Sequence, residues 1–326
     1  MEIGIAYDLA SDFAPAQGGA VDSLAEYDSE DTVAAIEAVL LKAGHAPRRL
    51  GGGRRFLEAV MAAPPELVFN LAEGRGGRSR EAQVPAVCEL LQIPYTHSDP
   101  LTMAVTLDKA AAKRLVGSAG VNTPAFEVLD RPGATGLEFP VVAKPLHEGS
   151  SMGISAGSLA RTQHDLDRVV AELLDAYREP ALVEEFCPGE ELTVGIFGAG
   201  ECALVLAVME VAPQRRDLDD FLYSGQVKHD WRVEVTYHVP PRWAPALTER
   251  AQTVALAAYR ALGCRDVGRV DLRVDRCGEP SFLEANPLPG LHPVTSDLAM
   301  MARQLGIEYD PLIMRIVDCA RDRLGI

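Results

Sequence analysis

Apolar and polar residues alternate in short blocks along the first hundred positions of the chain. The apolar runs have the length of strands, and the run from Leu67 to Leu71 is apolar enough for a buried parallel strand. An apolar stripe from Thr32 to Ala43 is typical of a helix, and Gly44 ends it. Strands are therefore predicted at 2–7, 67–71 and 93–95, and helices at 32–43 and 79–91. This alternation predicts an α/β domain over residues 1–103.

The rest of the chain repeats the mixture of strands and helices in two further sets. Strands are predicted at 139–145, 181–186, 192–197, 268–274 and 281–284, and helices at 107–115 and 243–262. The stretch from Asp217 to Trp231 is polar and contains Gly225, so we expect a mobile loop there. We assign residues 104–190 and 191–326 to two α+β subdomains.

A predicted hairpin near the end of the chain carries candidate metal ligands. Val270, Leu272 and Val274 alternate with charged residues, as a half-buried strand requires, and the returning strand ends at Glu284. In the right register, Asp271, Glu284 and Asn286 come to one end of the sheet. Two carboxylates and an amide oxygen form a hard, oxygen-only site suited to Mg²⁺. The alternative is a surface hairpin with scattered charges.

Two glycine-containing loops follow predicted strands. Lys144 ends one strand, and Gly149 and Gly153 flank a pair of serines that can close over phosphates with N–H and hydroxyl donors. The loop is not a Walker A motif, because its lysine precedes the glycines, and a simple turn is the alternative. The other loop, residues 72–81, follows a buried strand, which is a common place for a ligand but also for a plain turn.

Composition excludes several classes of function. The 326 residues carry a net charge of −16, which argues against non-specific binding to nucleic acid or to an anionic membrane. None of the six cysteines forms a CxxC pair, so neither a zinc site nor a disulfide framework is expected. The start of the chain lacks the pattern of a signal peptide, and no run is long enough to span a membrane. We therefore expect a cytoplasmic protein with reduced thiols that acts on small molecules.

Taken together, the motifs resemble the ATP-grasp fold and, within it, the D-alanine–D-alanine ligase branch. The matching segments are Lys144-Pro145, Glu148 to Ser151, Glu184 with Glu191, Arg269 to Asp271, and Glu284 to Gly290. The resemblance implies a Rossmann-like α/β domain followed by two α+β subdomains that sandwich ATP. It also implies two Mg²⁺ ions, with Mn²⁺ as a substitute, small-molecule carboxylate and amine substrates, and a homodimer.

The resemblance also implies roles for individual residues. The implied ATP-binding residues are Lys109, Lys144, Glu148, Ser150, Ser151, Glu184, Glu185, Phe186, Cys187, Glu191 and Lys228. The implied metal ligands are Asp271, Glu284 and Asn286. Catalytic roles fall to Arg269, which would face the acyl phosphate, to Lys228, and to Ser150 and Ser151 in the closing loop. The implied substrate residues are Glu73, Arg78, His229, Arg269, Gly290, Leu291, Thr295 and Ser296.

Departures from the family are concentrated on the substrate side. The family places a histidine before the glycines of its first-substrate loop and an acid after them, where this chain has Glu73 and Arg78. His229 stands where the family has a tyrosine, and the amino-terminal glutamate that receives the substrate ammonium is not recognisable, with Asp28 and Glu30 as nearby candidates. We therefore predict a ligase with an altered substrate.

The predicted activity is ATP-dependent joining of a carboxylate to an amine through an acyl phosphate. The acid would be an amino acid or a similar molecule, in a pair other than two D-alanines. Arg78 would favour an extra anionic or polar group on that acid. The alternatives are D-alanine–D-alanine ligation with a rearranged pocket, an ATP-grasp phosphotransferase that phosphorylates a hydroxyl, and an ATP-binding regulatory protein.

Overall fold

The amino-terminal part of the chain forms a parallel sheet flanked by helices. The computed structural model describes residues 1–14, 20–215 and 217–326. In chain order the elements are β1 (Glu2–Tyr7), α1 (Glu30–Lys42), β2 (Ala46–Arg49), α2 (Gly53–Ala62), β3 (Leu67–Leu71) and α3 (Gln83–Leu91). The strands are ordered β2-β1-β3, and β1 pairs with both neighbours in parallel, as the α/β pattern predicts.

A four-stranded antiparallel sheet forms the central part. Its elements are α4 (Pro100–Leu107), α5 (Lys109–Ser118), β4 (Phe126–Leu129), β5 (Val141–Pro145), β6 (Leu159–Ala160), α6 (Gln163–Tyr177) and β7 (Ala181–Glu185). The strand order is β4-β7-β5-β6. Helix α6 covers one face, where Leu166 and Val170 pack with Val141 and Ala143.

One predicted helix, residues 107–115, is interrupted in the structure. Asp108 is extended, with φ −84° and ψ 96°, and separates α4 from α5. Its carboxylate accepts a hydrogen bond from the backbone of Ala111 at 2.9 Å, which satisfies a free N–H at the start of α5. Lys109 thus becomes the first residue of α5, and Lys113 lies one turn later on the same face.

A five-stranded antiparallel sheet and three helices make up the carboxy-terminal part, and a short helix pair precedes its edge strand. The elements are β8 (Glu191–Phe197), β9 (Leu204–Pro213), α7 (Gly225–His229), α8 (Trp231–Glu234), β10 (Val235–His238), α9 (Pro245–Ala261), β11 (Val267–Val274), β12 (Pro280–Asn286), α10 (Asp297–Gln304) and α11 (Tyr309–Leu324). The strand order is β10-β9-β8-β11-β12. Helix α9 covers one face, while α10 and α11 share a core with the amino-terminal sheet.

The mixed α/β architecture with several sheets is confirmed, and three further local predictions differ from the structure. Residues 93–95 make only a single bridge, between Tyr95 and Val68, instead of a strand. The stretch 217–231 contains α7 and the start of α8 rather than only loop. The helix predicted from Ser79 begins as a 3₁₀ turn, Arg80–Ala82, before α3. Nowhere in the described residues is there a helix with the length and apolar character to cross a bilayer.

Candidate active site

The hairpin of β11 and β12 groups four polar side chains. Asp271 lies opposite Glu284, and Arg269 lies opposite Asn286. The register shifts directly after Asp271, which marks a bulge. Residues that alternate along a strand share a face, so these four side chains lie together on one side of the sheet.

Arg269 is fixed between two carboxylates. Its Nη2 donates to Asp271 at 2.9 Å, and its Nη1 donates to Asp297 at 2.7 Å. Burial alone would lower the pKa of Arg269, but these two carboxylates raise it above its ordinary value. The guanidinium is therefore a permanent, oriented positive charge at the edge of a cavity.

The oxygen donors of this hairpin fit a divalent cation unequally. Burial alone would raise the pKa of Glu284, but Lys109, Lys144 and other cations outweigh it and lower the pKa to about 2, so this carboxylate is ionised. Asn286 donates its Nδ2 to Asp271 at 3.2 Å, which leaves its amide oxygen to face the cavity. Glu284 and Asn286 therefore fit a Mg²⁺ ion.

Asp271 is occupied by protein partners. Its carboxylate accepts from Thr193 at 2.5 Å as well as from Arg269 and Asn286. Asp271 can bind a metal only if Arg269 gives up part of this contact. Among the described residues, no three His, Cys, Asp or Glu side chains form a metal-binding group.

Three buried lysines converge on the predicted nucleotide side. Glu184 pairs with Lys144 at 2.6 Å and with Lys113 at 2.7 Å. Lys109 lies 3.8 Å from Glu284 and donates to the backbone oxygen of Glu148. Burial would raise the pKa of Glu184, yet Lys113 and Lys144 lower it, so its charge is kept. One carboxylate for two lysines leaves a positive surplus that suits phosphate.

Lys113 is a residue that sequence reasoning missed. It is fully buried and also donates to Thr123 at 2.9 Å and to the backbone oxygen of Phe282 at 3.2 Å. Its separation of four residues from Lys109 was the available signal, since i and i+4 positions share a helix face.

The predicted phosphate loop has an unusual backbone. Ser150 and Ser151 both have positive φ values, 49° and 59°, which L-residues adopt rarely. Ser151 donates to the backbone oxygen of Tyr223 at 3.0 Å, joining this loop to the segment before α7.

The predicted adenine side is enclosed by apolar residues. Phe186 packs with Val142 and with Leu222, which lies in the stretch expected to be a loop. The guanidinium of Arg273 lies 4.5 Å from the centroid of the Phe186 ring and 3.6 Å from Glu191. Cys187 is buried, and Glu185 accepts from the backbone of Glu138 at 3.1 Å.

A cavity of about 570 Å³ is lined by residues of the amino-terminal domain, the hairpin of β11 and β12, Lys109 and the phosphate loop. The predicted site residues that line it are Glu73, Lys109, Glu148, Ser150, Lys228, His229, Arg269, Glu284, Asn286, Gly290, Thr295 and Ser296. Lys228 and His229 lie in the last turn of α7, and the Nζ of Lys228 is 5.0 Å from the Tyr223 ring centroid. Residues from all three parts of the chain thus face one space.

Two residues predicted to contact the substrate lie elsewhere. The Arg78 side chain is 75% exposed, lies 3.7 Å from Asp108, and lines a second cavity instead of the main one. Leu291 is fully buried in the core shared by α10 and α11. The expectation that Arg78 favours an anionic or polar substrate group is therefore not supported by its position, because the side chain is exposed and lines the second cavity.

Arg80 takes the inward position instead. Its Nη2 contacts Glu26 at 2.6 Å and Glu148 at 3.0 Å, and its Nη1 donates to the backbone oxygen of His147 at 3.1 Å. It thereby joins the amino-terminal domain to the phosphate loop. Arg78 and Arg80 are two residues apart in the sequence. Only the distant contact partners of Arg80 distinguish the two side chains.

Further carboxylates complete the cavity wall beside Glu73. Glu26, Asp28 and Glu81 line the same space, and of these the sequence indicated only Asp28. Asp28 precedes Ser29, whose hydroxyl caps α1 by accepting from Thr32 at 3.3 Å, so the start of this helix holds it in place. The other amino-terminal candidate, Glu30, pairs with Arg49 at 2.5 Å instead of facing the cavity.

Comparison with known proteins agrees with this geometry. Residues 115–318 match the family model described as D-ala D-ala ligase C-terminus. The protein y4sG of Sinorhizobium fredii, which is described as uncharacterized, is 34% identical over 298 residues, covering 88% of this chain and 87% of that protein. The D-alanine–D-alanine ligase of Bordetella petrii is 34% identical over 287 residues, covering 86% of this chain and 84% of the relative.

A solved structure extends the similarity to the whole fold. The crystal structure of D-alanine–D-alanine ligase from Bacillus anthracis complexed with ATP superposes with a TM-score of 0.73 at 20% sequence identity, covering 98% of this chain and 97% of the other. The family match, the relatives at 34% identity and the shared fold all agree. The chain therefore belongs to the D-alanine–D-alanine ligase family of ATP-grasp enzymes.

Proposed function

We propose that this enzyme uses ATP to join an amino acid, or a similar acid, to an amine by way of an acyl phosphate. Membership of a family of ATP-dependent C–N ligases is established, and the observation that supports the specific proposal is the cavity itself. There Lys109, Arg269 and Glu284 line the same space as Glu73 and Glu81.

The arrangement suits chemistry that develops negative charge on oxygen. A carboxylate is a poor acyl donor until its oxygen is phosphorylated, and both phosphorylation and amine attack increase charge on oxygens. Arg269, held by Asp271 and Asp297, presents a fixed cation to that charge. Lys109 and Lys144 would hold phosphates, and a bound Mg²⁺ would add charge neutralisation at Glu284 and Asn286.

The remaining expectations are proposals of the same kind. We propose two Mg²⁺ ions per site, with Mn²⁺ as a substitute, ATP between the two antiparallel sheets, a homodimer and a cytoplasmic location. The boundaries near residues 103 and 190 remain proposed domain limits.

A second candidate is D-alanine–D-alanine ligation itself. The named relatives at 34% identity and above support it. Against it stands the wall of carboxylates around Glu73, which differs from the family loop in the residues that would meet D-alanine.

A substrate panel separates the candidates. ADP release is measured with ATP and Mg²⁺ alone, with each of a set of amino acids, and with each acid plus an amine. The proposal predicts ADP formation that requires an acid and rises with an amine, together with an amide product. Efficient turnover of D-alanine alone would establish the second candidate. ADP formation that occurs only with hydroxyl acceptors would overturn the proposal. So would the absence of ADP formation with every acid and amine of the panel.

A further inference from the structure

The wall of the cavity formed by the amino-terminal domain is unusually acidic. Glu26, Asp28, Glu73 and Glu81 line it, and we call these four residues the acidic wall. The cations Lys109, Lys228 and Arg269 line the same space. A ligand in this space therefore meets both positive and negative groups.

Among the described residues, Arg80 is the cation that forms an ion pair with the acidic wall, and it is already engaged. Arg80 binds Glu26 through two contacts, 2.9 Å from its Nε and 2.6 Å from its Nη2, and extends to Glu148. Glu73 and Glu81, in contrast, form no hydrogen bond or ion pair through their carboxylates with any residue that the structure describes. Two carboxylates thus face the cavity without a protein partner.

The pKa values of Glu73 and Glu81 are both raised in this arrangement. Burial, followed by repulsion from Glu81 and Glu26, raises the pKa of Glu73 well above its ordinary value. Burial also raises the pKa of Glu81 to about 7, although Arg80 opposes the shift. Enclosed, unpaired carboxylates are unfavourable, and a cationic ligand between them would relieve the repulsion.

The ligand is better matched by an organic cation than by a metal ion. Within the described residues, the acidic wall does not contain a group of three carboxylates arranged to hold a metal ion. The cavity of about 570 Å³ also falls within the range of roughly 300–1,000 Å³ that is usual for small-molecule sites. The three N–H donors of an α-ammonium group can be met by Asp28 and by backbone oxygens, which leaves Glu73 and Glu81 for a second positive charge.

We infer that the acid substrate is a basic amino acid whose side chain carries a second positive charge, an ammonium or a guanidinium, bound by Glu73 and Glu81. Its carboxylate lies toward Lys109 and Arg269, where phosphorylation would occur. This inference rests on the proposed ligase function and specifies its substrate class. It replaces the expectation, based on Arg78, of an extra anionic group.

The test uses pairs of amino acids that differ only in the terminal charge. ADP release is measured for lysine against norleucine and for ornithine against norvaline, in both enantiomers, at saturating ATP and Mg²⁺. The basic member of a pair is expected to have a kcat/KM at least tenfold higher. Glu73→Gln and Glu81→Gln are each expected to reduce that ratio at least tenfold through the KM of the basic acid, with the KM of ATP unchanged.

Two controls make the result specific. Glu249→Gln removes an exposed carboxylate on α9, far in the chain from the acidic wall, and should keep the wild-type preference. Thermal unfolding of each variant reports whether it folds, and if one glutamate variant fails to fold, the other carries the test. Glu73→Gln and Glu81→Gln each remove an unpaired carboxylate, so each variant should retain its stability.

The outcomes separate the inference from the proposed function. ADP release that is equal for basic and neutral acids, or a preference that survives in both glutamate variants, overturns the basic substrate and leaves the ligase in place. No ADP release with any acid and amine overturns the ligase, and the inference with it. A preference that disappears in the variants supports both.

Discussion

At the residue scale, contacts between residues close in the sequence could be predicted, and contacts between residues far apart in the sequence could not. Asp271 and Glu284 belong to one hairpin, so alternation and a turn were enough to predict that they come to one end of the sheet, where the structure pairs them. Arg78 and Arg80 lie in the same polar loop, and the sequence gives no local reason to prefer one. The contacts of Arg80 with Glu26 and His147 span 54 and 67 residues, so they depend on how the domains meet.

Glu284 provides the first prediction at this scale. Glu284→Gln removes an ionised carboxylate that faces the transferring phosphoryl group in the proposed reaction. We expect turnover to fall by about a hundredfold or more, with the fold intact. ADP release at saturating Mg²⁺ measures the effect, and Glu279→Gln, near the turn of the same hairpin, is the matched control. Near-wild-type turnover in Glu284→Gln would remove the metal assignment.

Glu184 provides a prediction on stability. Glu184→Gln would leave Lys113 and Lys144 buried without their shared counter-charge. Breaking a buried ion pair from one side costs about 3–5 kcal/mol, and a urea unfolding curve would show this loss. Glu185→Gln, at the next position, should change the free energy of unfolding by less than about 1 kcal/mol. Equal effects of the two variants would contradict the buried cluster.

Glu81 gives a dependence of stability on pH. Burial raises its pKa from 4.5 to about 7, so between these values the folded protein holds a proton that the unfolded chain has released. Its contribution to stability is therefore lost as pH rises from about 5 through 7. Relative to the wild type, Glu81→Gln should become more stable as pH increases from 5 to 8. Thermal melts across this range measure the difference, and a constant difference would contradict the raised pKa.

At the scale of elements, the hydrophobic periodicity predicted most strands. It did not predict the helix cap and the long-range packing that position the site. Asp108 divides a sequence that reads as one helix, because its side chain caps α5 while its backbone is extended. Leu222 and α7 lie in a polar stretch whose packing against Phe186 has no local signal. Capping and long-range packing outweighed local pattern at these positions.

The two loops over the cavity lead to a prediction at the same scale. Ser151 contacts the backbone of Tyr223, so the phosphate loop and the segment before α7 should order together when nucleotide binds. Limited proteolysis of the free enzyme should cut near Ser150 or Gly225, and ATP with Mg²⁺ should protect both sites. Protection at only one site, or unchanged cutting, would show that the loops do not close as a unit.

At the scale of the whole molecule, the net charge of −16 is compatible with nucleotide binding because charges are segregated. Lys109, Lys113 and Lys144 lie at the proposed phosphate side, while the four carboxylates of the acidic wall come from the amino-terminal domain. The sequence indicated the lysine at the end of a strand and the carboxylates of the hairpin. The acidic wall becomes part of the cavity only when the amino-terminal domain packs against the other two sheets.

The central claim, ligation through an acyl phosphate, is tested most directly by following a carboxylate oxygen. An acid that supports ADP release is labelled with ¹⁸O in its carboxylate and incubated with ATP, Mg²⁺ and the amine, and the inorganic phosphate is examined by mass spectrometry. Attack of the carboxylate on ATP and later displacement by the amine predict one ¹⁸O atom in the phosphate for each amide formed. Amide formation with unlabelled phosphate would contradict the acyl phosphate and the account of the site built on it.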